Sequence, residues 1–131
     1  MLKTAEAVSL GHPDKTADYI ASYILDRMLE QDPAVRFAVE VMIKANTVVL
    51  GGEISGKVKT TGLKDYVRQA LDEVGYSAEY AKRWGSYAIE PDKLKVIELI
   101  SAQSDEISNG VAVGGWGDQG VFVGYACKGE G

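Results

Sequence analysis

The chain has 131 residues, of which 46% are hydrophobic and 25% charged; this balance excludes a disordered segment and predicts a single globular domain over residues 1–131. Asp and Glu outnumber Lys and Arg by 19 to 14, for a net charge of -5, so nucleic acid is not an expected partner. No apolar run approaches the roughly 20 residues that span a bilayer, so we expect no membrane partner and a cytoplasmic location. Cys127, the single cysteine, excludes an internal disulfide.

The first predicted element is a long helix that begins near Pro13. Apolar residues recur at helical spacing from Ala17 to Leu29, which gives the helix one apolar face. Pro13 suits the first turn, because its missing N–H would have no partner there. Asp14 complements the positive end of the helix dipole. The string Gln31-Asp32-Pro33 predicts the end of the helix.

Two paired strands follow the first helix. Residues from Val35 to Lys44 alternate with period two, which predicts a strand. Thr47 to Ile54 is predicted as a second strand, paired antiparallel to the first through a turn at Ala45-Asn46. The Gly51-Gly52 pair inside it indicates a bulge or a close backbone approach.

The remaining elements are less regular in pattern. A second amphipathic helix is predicted from Leu63 to Val74 and is closed by Gly75, and a shorter third helix is predicted over Lys93 to Ser101. Trp84 to Ile89 and Gly120 to Cys127 are strand candidates. This order of elements predicts an α+β fold, with a mostly antiparallel sheet and helices packed on one face.

A polar cluster lies at the predicted start of the first helix. The string Gly11-His12-Pro13-Asp14-Lys15 brings an imidazole, a carboxylate and an ammonium group within one turn. Free backbone N–H groups and the helix dipole make such a place suitable for anionic groups. A capping segment with ordinary surface charges has the same composition, so the residues alone leave both interpretations open.

Two carboxylates lie on the predicted strand pair. Glu40 and Glu53 are each surrounded by small or apolar residues. Because a glutamate is seldom buried without a partner, this setting favours a bound cation or a substrate amine. The alternative is that each is an edge glutamate facing water.

A glycine-rich region runs from Gln103 to Gly120. Dense glycines let the backbone approach a ligand closely and let a loop move. No Gly-Lys-Ser/Thr string follows, so this is not a phosphate loop of the Walker type. The alternative is a mobile surface loop, in which Asp118 is only a turn residue.

Together these regions resemble the methionine adenosyltransferase (S-adenosylmethionine synthetase) family. The GHPDK and GDQG strings are specific in combination, where either alone is weak, and the resemblance extends over nearly the whole chain. The strings that carry it occur in the family's order: Ala5-Glu6-Ala7-Val8-Ser9, Gly11-His12-Pro13-Asp14-Lys15, Ala17-Asp18, Leu29-Glu30-Gln31-Asp32-Pro33, Gly51-Gly52-Glu53-Ile54, Gln103-Ser104, Gly117-Asp118-Gln119-Gly120 and Gly124-Tyr125-Ala126.

The resemblance implies an α+β fold like the N-terminal part of that enzyme and a transferase reaction between ATP and L-methionine. In this family the methionine sulfur attacks the ribose C5′ of ATP, and the released tripolyphosphate is hydrolysed to phosphate and pyrophosphate with the help of Mg²⁺ and K⁺. His12 is then the catalytic residue, which binds substrate beside the C5′ oxygen. Asp14 binds Mg²⁺, Glu6 supports the same metal region, and Glu40 is the K⁺ ligand.

Three further residues are assigned to substrate by the same resemblance. Glu53 holds the methionine ammonium, and Gln103 and Asp118 contact substrate at either end of a gating loop. From these roles we expect His12 and Asp14 to face Glu53 across a shared cleft.

Family members continue through further domains that clamp the triphosphate, so we expect this chain to carry only part of the active site and to be nearly inactive alone. Sites in the family form between protomers packed through their sheets, which implies a homo-oligomer or a need for the missing C-terminal domains. The apolar face of Gly120 to Cys127 is a candidate contact. The alternative is a truncated, non-catalytic relative that binds nucleotide, metal or a partner subunit.

Overall fold

The computed structural model describes residues 2, 4–85, 88–101, 120–121, 123–126 and 128. Within these ranges the helices are α1 (Pro13–Leu29), α2 (Lys64–Val74) and α3 (Ala78–Trp84), with a 3-10 turn at Pro91–Lys93. The strands are β1 (Arg36–Lys44), β2 (Thr47–Ser55) and β3 (Lys95–Ser101). The α+β class is confirmed.

The sheet has the order β1-β2-β3. β1 and β2 form an antiparallel hairpin in unbroken register, from Arg36 opposite Ser55 to Lys44 opposite Thr47. β3 pairs with the other edge of β2 in parallel, with Thr47 opposite Lys95. A parallel pair needs a long crossover connection, and α2, α3 and the 3-10 turn supply it.

One face of the sheet, the core face, packs against the helices. Alternate residues of β1 and β2 are buried there, and the apolar stripes of α1 and α2 join them. The buried cluster contains Ile20, Ile24, Met28, Val39, Val48, Leu50, Ile54, Leu63, Val67, Ala70, Leu71, Ile89 and Leu94.

The opposite face of the sheet, the outer face, is not covered by any described helix. Met42 and Leu99 on it are 62% and 64% exposed. By strand alternation and register, the outer face consists of Arg36, Ala38, Glu40, Met42, Lys44, Thr47, Val49, Gly51, Glu53, Ser55, Lys95, Ile97, Leu99 and Ser101.

The glycine pair in β2 marks a close backbone approach rather than a bulge, because the β1–β2 register is one-to-one. Gly52 has φ +142°, and a Cβ placed there would lie 2.1 Å from the carbonyl oxygen of Ala38. A Cβ at Gly51 would meet no atom within 4 Å. Gly52 is therefore required by the hairpin, whereas Gly51 leaves open space on the outer face.

The helix predicted over Lys93 to Ser101 is wrong, because Lys95–Ser101 is strand β3. In so short a run, helical and strand spacing are hard to separate. The β-branched residues Val96, Ile97 and Ile100 favour a strand, and the free edge of β2 supplies a partner.

The strand predicted over Trp84 to Ile89 is also wrong, since Trp84 ends α3 and Ala88 and Ile89 lie in no strand. Within the predicted strand Gly120 to Cys127, the described residues 120–121 and 123–126 form no strand. Such a strand, apolar on both faces, needs cover on both, and Val121 and Val123 are 90% and 93% exposed. Over the described ranges, each helix falls short of the length and apolarity needed to cross a membrane.

Candidate functional site

The start of α1 brings the first predicted cluster together. His12 is the N-cap residue, with Pro13 and Asp14 in the first turn. The His12 Nδ1 accepts a hydrogen bond from the backbone N–H of Asp14 at 3.2 Å, so the neutral imidazole carries its proton on Nε2. His12 therefore presents an N–H donor away from the helix, and the Asp14 carboxylate beside it is 93% exposed.

A cavity of about 320 Å³ lies beside this helix start. Gly11, Pro13 and Thr16 line one side of it, and Lys44 and Tyr76 are among the residues that line the rest. Free N–H groups at a helix N-terminus attract anions. The arrangement suits a ligand that carries phosphate or another anion.

The two predicted carboxylates of the hairpin share the outer face. Glu40 lies opposite Gly51, and Glu53 lies opposite Ala38, so the two glutamates are diagonal neighbours across the β1–β2 ladder. Diagonal side chains in an antiparallel pair are about 7 Å apart at Cβ. Because Gly51 has no side chain and open space above it, a cation or an amine could approach both carboxylates.

Within one chain, the helix start and Glu53 do not meet, and the expected shared cleft is wrong. α1 packs on the core face, and its first residues line a cavity with Ile43, Lys44 and Ala45 at the hairpin turn. Glu53 points to the outer face, six residues beyond Thr47 along β2. At about 3.3 Å per residue, Glu53 lies about 20 Å from the turn on the opposite side of the sheet.

Of the remaining predicted residues, only Glu6 is described. It is exposed, in the irregular segment before α1. Gln103 and Asp118 lie outside the described residues, so their predicted contacts stay predictions. Over the ranges that are described, no group of three or more His, Cys, Asp or Glu side chains could hold a metal ion. A single carboxylate such as Asp14 is still compatible with Mg²⁺, because this ion is commonly held by one or two carboxylates together with substrate phosphates and water.

Sequence reasoning missed two residues at the helix start. The Thr16 hydroxyl donates to the carbonyl of Leu10 at 2.7 Å, and the Tyr76 hydroxyl donates to the carbonyl of Gly11 at 3.0 Å. Thr16 was detectable in principle, as a polar residue one turn before Ile20 on the apolar face of α1. Tyr76 had no sequence signal, because 65 residues separate it from Gly11.

A third missed residue is Glu98, which lies on the core side of β3. Its carboxylate accepts hydrogen bonds from the backbone N–H groups of Gly62 at 2.9 Å and Leu63 at 2.6 Å. Leu63 is the N-cap residue of α2 and its own side chain makes no capping bond. Glu98 therefore caps α2 from a distant strand and fixes that helix to the sheet.

The domain has an exposed N–H donor at the start of α1, a carboxylate beside it and a cavity that attracts anions. It is therefore an α+β domain suited to a phosphate-bearing ligand. The family description that matches residues 1–105 is S-adenosylmethionine synthetase, N-terminal domain. That match covers most of the chain, so the chain belongs to the S-adenosylmethionine synthetase family.

Individual relatives agree with this assignment. The S-adenosylmethionine synthase of Borrelia garinii subsp. bavariensis is 40% identical over 131 residues, which cover 95% of this chain and 32% of the relative. S-adenosylmethionine synthase 1 of Rhodospirillum rubrum is 37% identical, over 95% of this chain and 31% of the relative. An unusual S-adenosylmethionine synthetase from Campylobacter jejuni superposes with a TM-score of 0.64 at 35% identity, over 75% of this chain and 26% of that one. The chain thus spans about a third of the length of its curated relatives.

Proposed function

We propose that this chain supplies one part of a methionine adenosyltransferase site, which forms S-adenosylmethionine from ATP and L-methionine and releases phosphate and pyrophosphate. The observation that carries the proposal is the capped start of α1. There the bond from the Asp14 N–H to the His12 Nδ1 leaves the Nε2–H of His12 free to donate outward. A fixed donor of this kind stabilises charge that develops on a leaving group.

In the proposed reaction, the methionine sulfur forms a bond to the ribose C5′ while the C5′–oxygen bond breaks. The electron pair stays on the tripolyphosphate oxygen, and the His12 Nε2–H donates to that oxygen. Asp14, with Glu6 in the same metal region, would hold Mg²⁺ together with the phosphates. When bound, Mg²⁺ supplies charge neutralisation for the leaving group.

The outer face is the proposed place for the amino acid and the second cation. Glu53 would accept hydrogen bonds from the methionine ammonium, and Glu40 would be the K⁺ ligand. The open space above Gly51 supports this assignment, because it leaves room between the two carboxylates. Gln103 and Asp118 are proposed to contact substrate in the same site.

Because His12 and Glu53 lie on opposite sides of one chain, we propose that a complete site takes them from two copies. The outer face supports such a pairing, since it exposes Met42 on β1 and Leu99 on β3. In a two-fold interface each copy presents the same surface to the other. If the strands of the two copies run in opposite directions, the hairpin turn of one copy lies near Glu53 of the other, which brings the two halves of the site together.

The test is a chimera in which this chain replaces the matching N-terminal part of the Borrelia garinii relative. S-adenosylmethionine formed from ATP, methionine, Mg²⁺ and K⁺ is measured. We expect turnover by the chimera, and a fall of roughly 100-fold with His12→Asn. Asn is a good N-cap residue, so this change preserves the helix start while removing the imidazole. The control is Lys64→Gln, an exposed position at the start of α2, which should leave turnover unchanged.

A folded chimera with no turnover would contradict the enzymatic proposal. If that chimera still bound ATP, a non-catalytic nucleotide-binding relative would be the better description. A polypeptide of these 131 residues alone is expected to form no measurable S-adenosylmethionine, because Lys15 and Lys44 are few cations for a triphosphate. The cytoplasmic location stays a prediction.

A further inference from the structure

Two hydroxyl groups hold the loop that leads into α1. Thr16 donates to the carbonyl of Leu10, and Tyr76 donates to the carbonyl of Gly11. Thr16 is 1% exposed and is the only polar residue buried among the described ones. Both bonds therefore end on the two carbonyls that come immediately before His12.

The bond from Tyr76 acts on the peptide group that carries the His12 nitrogen. The Gly11 carbonyl and the His12 N–H belong to one planar unit, and that N–H donates to the carbonyl of Ser9 at 3.0 Å. Fixing both ends of this plane limits the backbone rotation of His12. The imidazole, whose Nδ1 is bonded to the Asp14 N–H, is thereby held in one direction.

Tyr76 reaches this loop because α2 ends in a left-handed turn. Gly75 has φ +111°, and the backbone N–H groups of Gly75 and Tyr76 donate to the carbonyls of Asp72 and Leu71 at 3.0 and 2.9 Å. This is a Schellman ending, which needs glycine at the left-handed position. Burial raises the pKa of Tyr76, so the phenol stays protonated and able to donate at neutral pH.

We propose that Tyr76, together with Thr16, is a positioning residue that sets the direction and the tautomer of His12. The effect of this positioning on catalysis rests on the proposed function, because the Nε2–H of His12 donates to a leaving group only in that reaction. The positioning itself is a property of the loop and can be measured without substrate.

The first experiment uses the chain itself with Tyr76→Phe, which removes the hydroxyl and keeps the ring. His12 is the only histidine, so its ring ¹⁵N signals need no assignment. They are recorded at about pH 8.5, where imidazole is neutral and a tyrosine is protonated. We expect one Nε2–H tautomer in the unmodified chain, a mixture of both tautomers in the variant, and amide exchange at His12 that is about fivefold faster.

Two further variants complete this experiment. Thr16→Val removes the second hydroxyl at nearly constant shape and should give the same two changes. Tyr23→Phe is the matched control, because it removes a tyrosine bond of 3.0 Å to Gln69 at a position about two turns beyond Thr16 along α1. It should leave both signals as they are. Unchanged ring signals and unchanged His12 exchange in Tyr76→Phe would overturn the proposal.

The second readout separates this inference from the proposed function. In the chimera, Tyr76→Phe should lower kcat about fivefold with little change in the KM for methionine, since the ammonium is assigned to Glu53. Loss of turnover in the unsubstituted chimera would remove the proposed function while the tautomer result stands. An unaltered kcat beside altered ring signals would show that the loop is held by Tyr76 without consequence for catalysis, and would overturn the catalytic part.

Discussion

The hairpin predicts opposite outcomes for the same substitution at two adjacent glycines. In Gly52→Ala the new Cβ would lie 2.1 Å from the carbonyl oxygen of Ala38 and 2.9 Å from the Cα of Val39. Both are backbone atoms of β1, so no side-chain rotation relieves the contact. The φ of +142° adds strain for an L residue. Backbone strain and overpacking each cost about 1–3 kcal/mol, so we expect a loss of about 3 kcal/mol in the free energy of unfolding.

Gly51→Ala is the matched control, because its Cβ would meet no atom within 4 Å. Replacing a glycine in a strand removes unfolded-state entropy, so this variant should be neutral or more stable by about 0.5 kcal/mol. Urea unfolding followed by tryptophan fluorescence measures both, at two protein concentrations so that self-association is detected. If Gly52→Ala unfolded within about 0.5 kcal/mol of Gly51→Ala, the close approach of the strands would be wrong.

Three further predictions concern other parts of the fold. Hydrogen bonds from the backbone N–H groups of Lys57 and Ala34 hold the pKa of Asp32 below its usual range. The stability that Asp32 contributes is therefore present above its pKa in the unfolded chain and is lost as the pH falls through its pKa in the folded chain. Between about pH 6 and pH 3, the free energy of unfolding should fall more in the unsubstituted chain than in the Asp32→Asn variant. Glu98→Gln should lower the free energy of unfolding in urea by about 1 kcal/mol, because it weakens the cap of α2. An unchanged urea midpoint would contradict the assignment of Glu98 as that cap. Leu99→Lys should change the free energy of unfolding by no more than about 0.5 kcal/mol and should reduce self-association in sedimentation velocity. Equal self-association by this variant and the unsubstituted chain would argue against the outer face as an interface.

The parts of the fold that are set by local pattern were predictable from the sequence. α1, α2 and the β1–β2 hairpin follow from apolar spacing, from Pro13 and from Gly75, and their observed bounds differ by a residue or two from the predicted ones. β3 was not predictable in the same way. Its strand character depends on the free edge of β2, which is a tertiary partner that spacing over seven residues does not reveal.

The candidate site was likewise predictable only where its residues share one local element. His12 and Asp14 were predictable together, because one helix start holds both. Their separation from Glu53 was not, because it depends on which face of the sheet α1 covers. Strand alternation predicts that Glu40 and Glu53 share one face of the sheet. Only the packing of Ile20 and Ile24 against the core face shows that the two glutamates lie on the face opposite α1. Tyr76 reaches the site through a contact across 65 residues, for which the sequence has no local signal.

The central claim is that two copies contribute to each site, and subunit mixing in the chimera tests it most directly. The His12→Asn chimera is expected to keep about 1% of the unsubstituted turnover, and the Glu53→Gln chimera is also expected to keep only a small fraction of it. When the two are unfolded, mixed in equal amounts and refolded, half of the dimers should be mixed, and each of these regains one intact site. Specific activity should then rise to about a quarter of the unsubstituted value. Activity no higher than that of either variant alone, in a preparation shown to contain mixed dimers, would contradict the claim.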